Sequence, residues 1–203
     1  MKFAAANTKL KKLYKLAKTV LAQWLDRKIG RSMAKIYSFD ILSGIDCPFA
    51  FNCKSQAEVQ EDGSRRIKDG PDTKFRCFSA SQEVLFTNVY NSRKRNHDAI
   101  HECETSDDMA DALCNALPKN AGVIRIHVSG DMFSNNYFLA WIKVAERNPN
   151  VLFYAYTKSL IYWIRNRERV PYNLVLTASY GGRNDHLIAE HGLRSAKVVF
   201  SRQ

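Results

Sequence analysis

Four apolar runs rich in β-branched and aromatic residues, at 123–128, 151–156, 174–179 and 196–200, start 28, 23 and 22 residues apart. Helical or loop sequence separates each from the next, and strands alternating with helices at that interval predict βα units with a parallel sheet or barrel. Side chains alternate along a strand, so Ile124, Ile126 and Val128 fall on one face while Arg125, His127 and Ser129 fall on the other. The second run repeats the split, with Phe153 and Ala155 opposing Tyr154, Tyr156 and Lys158, and in the third Leu174, Leu176 and Ala178 oppose Val175, Thr177 and Ser179. In the fourth, Val198 and Phe200 oppose Lys197, Val199 and Ser201. A doubly wound sheet is buried on both faces and reads as continuous apolar runs. These runs carry one apolar and one polar face, which predicts a partial (open) βα barrel of parallel strands with outer helices and a polar interior.

The helical pattern is as legible. Residues 135–147 place Tyr137, Phe138, Trp141, Ile142 and Ala145 on one face, with Ser134 positioned to cap them. Further helices are expected at 81–103 and 106–117, the latter opening at Ser106 and stopped by Pro118. Residues 8–28 repeat Leu10, Leu13, Tyr14, Ala17, Leu21, Trp24 and Leu25 at helical spacing, with lysines opposite and Gly30 as the stop. Residues 36–79 read as irregular, with turns at Ser43-Gly44, 61–64 and 68–72. The organisation expected is therefore a basic amphipathic helix over 1–35 and a single α/β domain over 36–203, with a cysteine loop at 44–80 and βα units at 121–203.

Composition adds constraints on partners and compartment. At 203 residues, 45% hydrophobic, the chain is long enough for one well-buried domain, which excludes disordered and collagen-like classes. Of its net charge of +11, the first 46 residues carry +7, from ten basic and three acidic side chains. That excess suits nucleic acid gripped through residues 9–35, or is simply a solvated helix face. Uninterrupted apolar runs reach six residues against the roughly 20 needed to cross a membrane, so a membrane partner is not expected and the cytoplasm is the compartment read from the sequence. Five cysteines without an export signal argue against a disulfide framework and for metal ligation or buried thiols.

Three of those cysteines carry the candidate chemistry. Cys47 and Cys53 lie in one loop and Cys77 follows 24 positions later. Three thiolates suit zinc or an iron-sulfur cluster, with Cys103, His97, His101 or water as a fourth ligand to zinc, and three are enough for a four-iron cluster with one iron left open. The strand ends Ser129-Gly130-Asp131, Thr157-Lys158-Ser159, Ser179 to Arg183 and Ser201-Arg202 stand where α/β sheets place their sites. Asp131 and Lys158 are the catalytic candidates, and Arg125, His127, Ser129, Gly130 and Tyr156 are the cofactor-binding candidates. Their alternative is an internal hydrogen-bond network. Phosphate-loop and dinucleotide glycine motifs are absent, as is a hydrolase nucleophile elbow.

The run 125–134, Tyr137, Trp141, the 153–159 segment Phe-Tyr-Ala-Tyr-Thr-Lys-Ser, 176–179, and the Cys47-Pro48-Phe49-Ala50 loop with Cys53 and Cys77 resemble the phage gene product 88 family over roughly residues 40–203. The resemblance implies a phage, prophage or plasmid origin, and host cytoplasm as the site of action. It also implies that related chains continue past the last strand, making Gln203 the end of a short form. The cysteine loop followed by βα units is similar in layout to radical S-adenosylmethionine enzymes, although those carry a compact CxxxCxxC and here the third cysteine is distant. That similarity implies a 4Fe-4S cluster on Cys47, Cys53 and Cys77, S-adenosylmethionine as a cofactor, and a small molecule or nucleotide as substrate. The competing expectation is a basic nucleic-acid-binding protein with structural zinc, or inert cysteines in an interaction module.

Overall fold

A computed structural model describes residues 1–8, 10–12 and 35–199. The elements in chain order are β1 (Ala4–Ala5), β2 (Lys35–Phe39), β3 (Ser55–Val59), β4 (Arg65–Asp69), α1 (Phe78–Leu85), α2 (Thr87–His101), α3 (Ser106–Ala116), β5 (Ala121–Ile126), α4 (Asn135–Arg147), β6 (Leu152–Thr157), α5 (Leu160–Arg165), β7 (Leu174–Ser179), α6 (His186–Glu190) and β8 (Ser195–Ala196). Strands pair in the order β1-β2-β5-β6-β7-β8 to make one sheet, and β3-β4 form a separate hairpin. The pairs from β2 to β8 are parallel, and β1 runs antiparallel at the edge. The chain is a mixed α/β protein built on a mostly parallel sheet.

Sequential strand order has a consequence for layering. Parallel crossovers are right-handed in nearly every known case, so strands laid down one after another put their connecting helices on the same face. That face holds the core, where Phe39, Ile124, Ile126, Phe153, Ala155, Leu174 and Leu176 pack against α4 residues Tyr137, Phe138, Trp141 and Val144, α3 residues Met109 and Leu113, and Ile100 of α2. Phe3, just before β1, and Phe39 of β2 hold the Trp141 ring edge-on. The opposite face carries half-buried Arg125, Tyr154, Val175 and Thr177 and exposed Tyr156. At its β2–β6 end it is covered by Leu10, which packs with Ile36 and Val123.

Local signals explain most boundaries. The Ser134 hydroxyl accepts from Tyr137 N at 3.1 Å and opens α4 where expected. Helix α3 opens at Ser106 as expected, capped by Thr105, because Asp108 three residues on reaches back to the Thr105 amide and completes a capping box. The helix expected at 81–103 is two helices, broken at Phe86, whose extended backbone (φ −121°, ψ 104°) ends α1 and starts α2. The 36–79 segment expected as irregular contains β2 and the β3-β4 hairpin. The fourth run forms strand at Ser195–Ala196 alone, with 197–199 outside it. The amphipathic pattern beyond residue 12 and up to 34 lies outside the described residues; 10–12 are helical. Among the described residues no helix is long and apolar enough to cross a membrane.

Candidate functional site

The site is assembled at the carboxyl edge of the parallel strands. Past the end of β5 the chain stays tied to β2, with His127 N donating to Phe39 O at 2.9 Å and Ile41 N to Ser129 O at 3.1 Å. The Asp40 carboxylate gathers Val128 N at 2.6 Å and the Ser38 hydroxyl at 3.0 Å. Ile41 closes so tightly over Gly130 (φ +85°) that a Cβ there would lie 2.3 Å from Ile41 Cγ1. Gly130→Ala adds left-handed strain to that collision and is expected to lower the unfolding free energy by at least about 1 kcal/mol, read from a fall in the urea midpoint.

Strict alternation does not survive the strand end. His127 has φ 66°, which swings its ring out of register with Arg125 and into the α4 core. There Nε2 meets the Tyr137 hydroxyl at 2.9 Å and the ring packs edge-on to Trp141. Burial, with the Arg125 charge in second place, lowers its pKa to about 3, so it is neutral at physiological pH. The expectation that His127 lines the polar face is corrected accordingly. Ser129 also turns inward, donating its hydroxyl to Glu83 at 2.9 Å. Ser129 and Gly130 shape the strand end and do not face the polar side of the sheet.

Asp131 is buried and fully engaged, accepting from Thr157 Oγ1 at 2.6 Å, Met132 N at 2.7 Å and Lys158 N at 2.8 Å. Burial raises its pKa, and those hydrogen bonds oppose the rise. Its own amide donates to Asp46 O at 3.0 Å, which locks the loop after β5 to the residue before Cys47. This geometry makes Asp131 a clasp between β5, β6 and the cysteine loop. Lys158, at the end of β6, directs Nζ to Ser179 Oγ at 2.7 Å, at the end of β7.

The cysteine loop docks on the turn after β7. Phe51 N and Asn52 N donate to Gly181 O at 3.1 and 3.0 Å, Arg183 N donates to Phe49 O at 2.9 Å, and Ala50 bridges Gly182. A Cβ on Gly182 would sit 3.1 Å from the Lys158 side chain and 3.2 Å from Phe49 O, so the turn is glycine because the loop lies against it. Lys54 holds the loop from beneath, donating to Gly44 O at 2.6 Å and Cys47 O at 2.8 Å. Cys77 joins from the start of α1, its amide donating to Ser55 Oγ at 3.2 Å.

The three thiols lie within electrostatic reach of one another. The Cys47 thiol is pushed well up by burial, then by the charges of Asp131, Cys77 and Cys53. Cys53 is raised by burial, eased by Lys158, and raised again by Cys77 and Asp131. A thiol held protonated in this way is a poor nucleophile. Cys103 and Cys114 stand apart: the Cys103 sulfur bonds to Ala99 O at the end of α2, and Cys114 accepts from Asn148 Nδ2.

On the polar face Arg125 lies beside Tyr154 and holds its guanidinium 5.6 Å from the Tyr156 ring centre. Arg125 Nε is buried without a hydrogen-bond partner among the described residues.

Two clusters were not anticipated as units. Glu83 accepts from Ser43, Arg93 and Ser129, and Asp46 meets His97 and His101. The i,i+4 spacing of His97 and His101 was visible in the sequence, but Asp46, 51 positions before His97, gave no local signal.

The gene product 88 family model matches residues 1–203, the full length of the chain. This chain belongs to the gene product 88 family. No curated protein and no solved structure matches it. Family membership agrees with the motifs of the cysteine loop and strand ends, and the match extends through the basic N-terminal segment as well.

Proposed function

We propose that this gene product 88 protein is an iron-sulfur protein whose sheet works as an open βα barrel, with Cys47, Cys53 and Cys77 holding a 4Fe-4S cluster at the carboxyl edge. The polar face is the binding surface for a small molecule or nucleotide. The observation that carries the reading is the docking of the cysteine loop on the Gly181-Gly182 turn, with Cys47 and Cys53 within electrostatic reach of Cys77 and Lys158 near Cys53.

Among the described residues, the metal-ligating side chains whose donor atoms all lie within 4.8 Å of one another are Asp46, His97 and His101, and the cysteines form no such compact group. The raised thiol pKa values do not oppose ligation, because a bound metal replaces the protons. A four-iron cluster with an iron free of protein ligands supplies electrons to a molecule held beside it.

The protein's own part is binding and orientation. Tyr156, 44% exposed, offers a ring for a base to stack on, and Arg125 offers a buried donor with no partner. Lys158 sets a positive charge between that face and Cys53. S-adenosylmethionine, which joins a base to a charged sulfonium, is the first ligand to try.

The test compares protein purified without oxygen with the Cys47→Ala/Cys53→Ala/Cys77→Ala variant. About four irons per chain with matching sulfide and a broad visible absorption, all lost in the variant, are expected. One zinc lost with the cysteines would replace the cluster by a structural metal and favour nucleic-acid binding through residues 9–35. Cysteines that bind neither metal would overturn both metal readings and leave the polar face as the remaining candidate site.

A further inference from the structure

The geometry points to a second metal site, distinct from the cysteines: Asp46, His97 and His101 form a two-histidine, one-carboxylate site for a single divalent transition-metal ion of the zinc or ferrous class. His97 and His101 are one helical turn apart on α2, so both rings project from one face, and their centroids lie 4.2 Å apart. Asp46 reaches them from the loop before Cys47. His97 Nδ1 stands 2.9 and 2.8 Å from the two Asp46 carboxylate oxygens, and His101 Nε2 stands 2.9 Å from Oδ1.

Those separations fit a shared ion. Nitrogen and oxygen ligands lie about 2.0–2.2 Å from zinc, so two of them at 90 to 110 degrees are about 2.8–3.6 Å apart. The observed pairs need to open by only a few tenths of an ångström. Two imidazoles and a carboxylate on one side of an ion are also the donor set that suits zinc and ferrous iron, with the remaining positions left to water or substrate.

The surroundings are those of a built site. Asp46 is 1% exposed and its Oδ2 is oriented by Leu42 N at 3.0 Å, the kind of outer hydrogen bond that holds a ligating carboxylate in place. The Phe133 ring stacks on His101 at 4.1 Å and fixes its plane. Access comes from the histidine side, where His101 is 40% exposed and His97 20%. A dication there neutralises a carboxylate that is otherwise buried. It also ties α2 to the loop that carries Cys47, so the two sites share a wall while using different donors.

The decisive experiment is a zinc titration by calorimetry on the full chain carrying Cys47→Ala, Cys53→Ala and Cys77→Ala. About one equivalent is expected to bind, and adding His101→Ala, a change at a partly exposed position, is expected to weaken binding at least tenfold. No binding, or binding unchanged by His101→Ala, would overturn the site. If the cysteine variant does not fold, cobalt added to the intact chain decides instead. Weak visible bands without sulfur-to-metal charge transfer, lost in His101→Ala, support the site, and a cobalt spectrum insensitive to His101→Ala refutes it. Iron and sulfide content report on the cysteines separately, so failure of one site is distinguishable from failure of the other.

Discussion

Replacing Glu83 by alanine is expected to lower the unfolding free energy by about 3–5 kcal/mol, a large share of the 5–15 kcal/mol typical of a domain. Glu83 is buried in α1 and accepts from four groups on three other segments. These are Ser43 N at 3.1 Å, the Ser43 hydroxyl at 2.7 Å, Arg93 Nη1 at 3.0 Å and the Ser129 hydroxyl at 2.9 Å. Arg93, from α2, is almost as buried and also donates to Ser79 O and Gln82 Oε1. Alanine removes the carboxylate but leaves the guanidinium where water cannot reach it, and the cost of that stranded charge dominates. Glu83→Gln keeps the volume and one acceptor and should lose less, about 1–3 kcal/mol. If the pair acts as a unit, Glu83→Ala/Arg93→Ala will be less destabilised than the sum of its single variants. Urea unfolding at neutral pH measures all four, and a Glu83→Ala midpoint equal to the parent's would show that the cluster contributes nothing.

The second large effect is acid lability from His127. In the unfolded chain its pKa is near 6.5; in the fold it is about 3. A depressed histidine value means that the unfolded state binds the extra proton first. The stability it permits is therefore fully present above pH 6.5 and is lost as pH falls toward 3, at about 1.4 kcal/mol per unit. Between pH 7 and pH 5 the loss is about 2 kcal/mol. Asp131 acts in the opposite sense, since its raised pKa makes the folded state hold a proton more tightly and its contribution declines as pH rises above the usual carboxylate value. Comparing the parent with His127→Gln cancels that contribution. The variant should be less stable at pH 7, for want of the ring packed on Tyr137 and Trp141, and the gap should shrink by about 2 kcal/mol at pH 5. A gap independent of pH would show that His127 charges as easily in the fold as outside it.

Period and capping carried the αβ half of the molecule into view. The runs at 151–156 and 174–179 lie within a residue of β6 and β7, and Ser134 opens α4, because burial of one face and a hydroxyl cap are both written in adjacent residues. Strand β2 was hidden because Lys35–Phe39 is five residues long and its neighbour β5 is more than 80 positions away in sequence. The β3-β4 hairpin, SQAEV paired with RRIKD, has almost no apolar signal and is held by backbone pairing and by its turn at Gly63.

From the sequence alone came the alternation of strand and helix, the one-sided character of the sheet, the cysteine loop as a feature apart, and the family to which its motifs point. These are properties of neighbours along the chain, and short-range periodicity records them. The tertiary structure alone decided that His127 faces the core, that Ser129 and Glu83 meet, that Asp131 clasps two strands to the cysteine loop, and that Asp46 reaches two histidines on α2. Each depends on backbone turned out of register at a strand end or on a contact across 26 or more residues, and neither leaves a periodic trace.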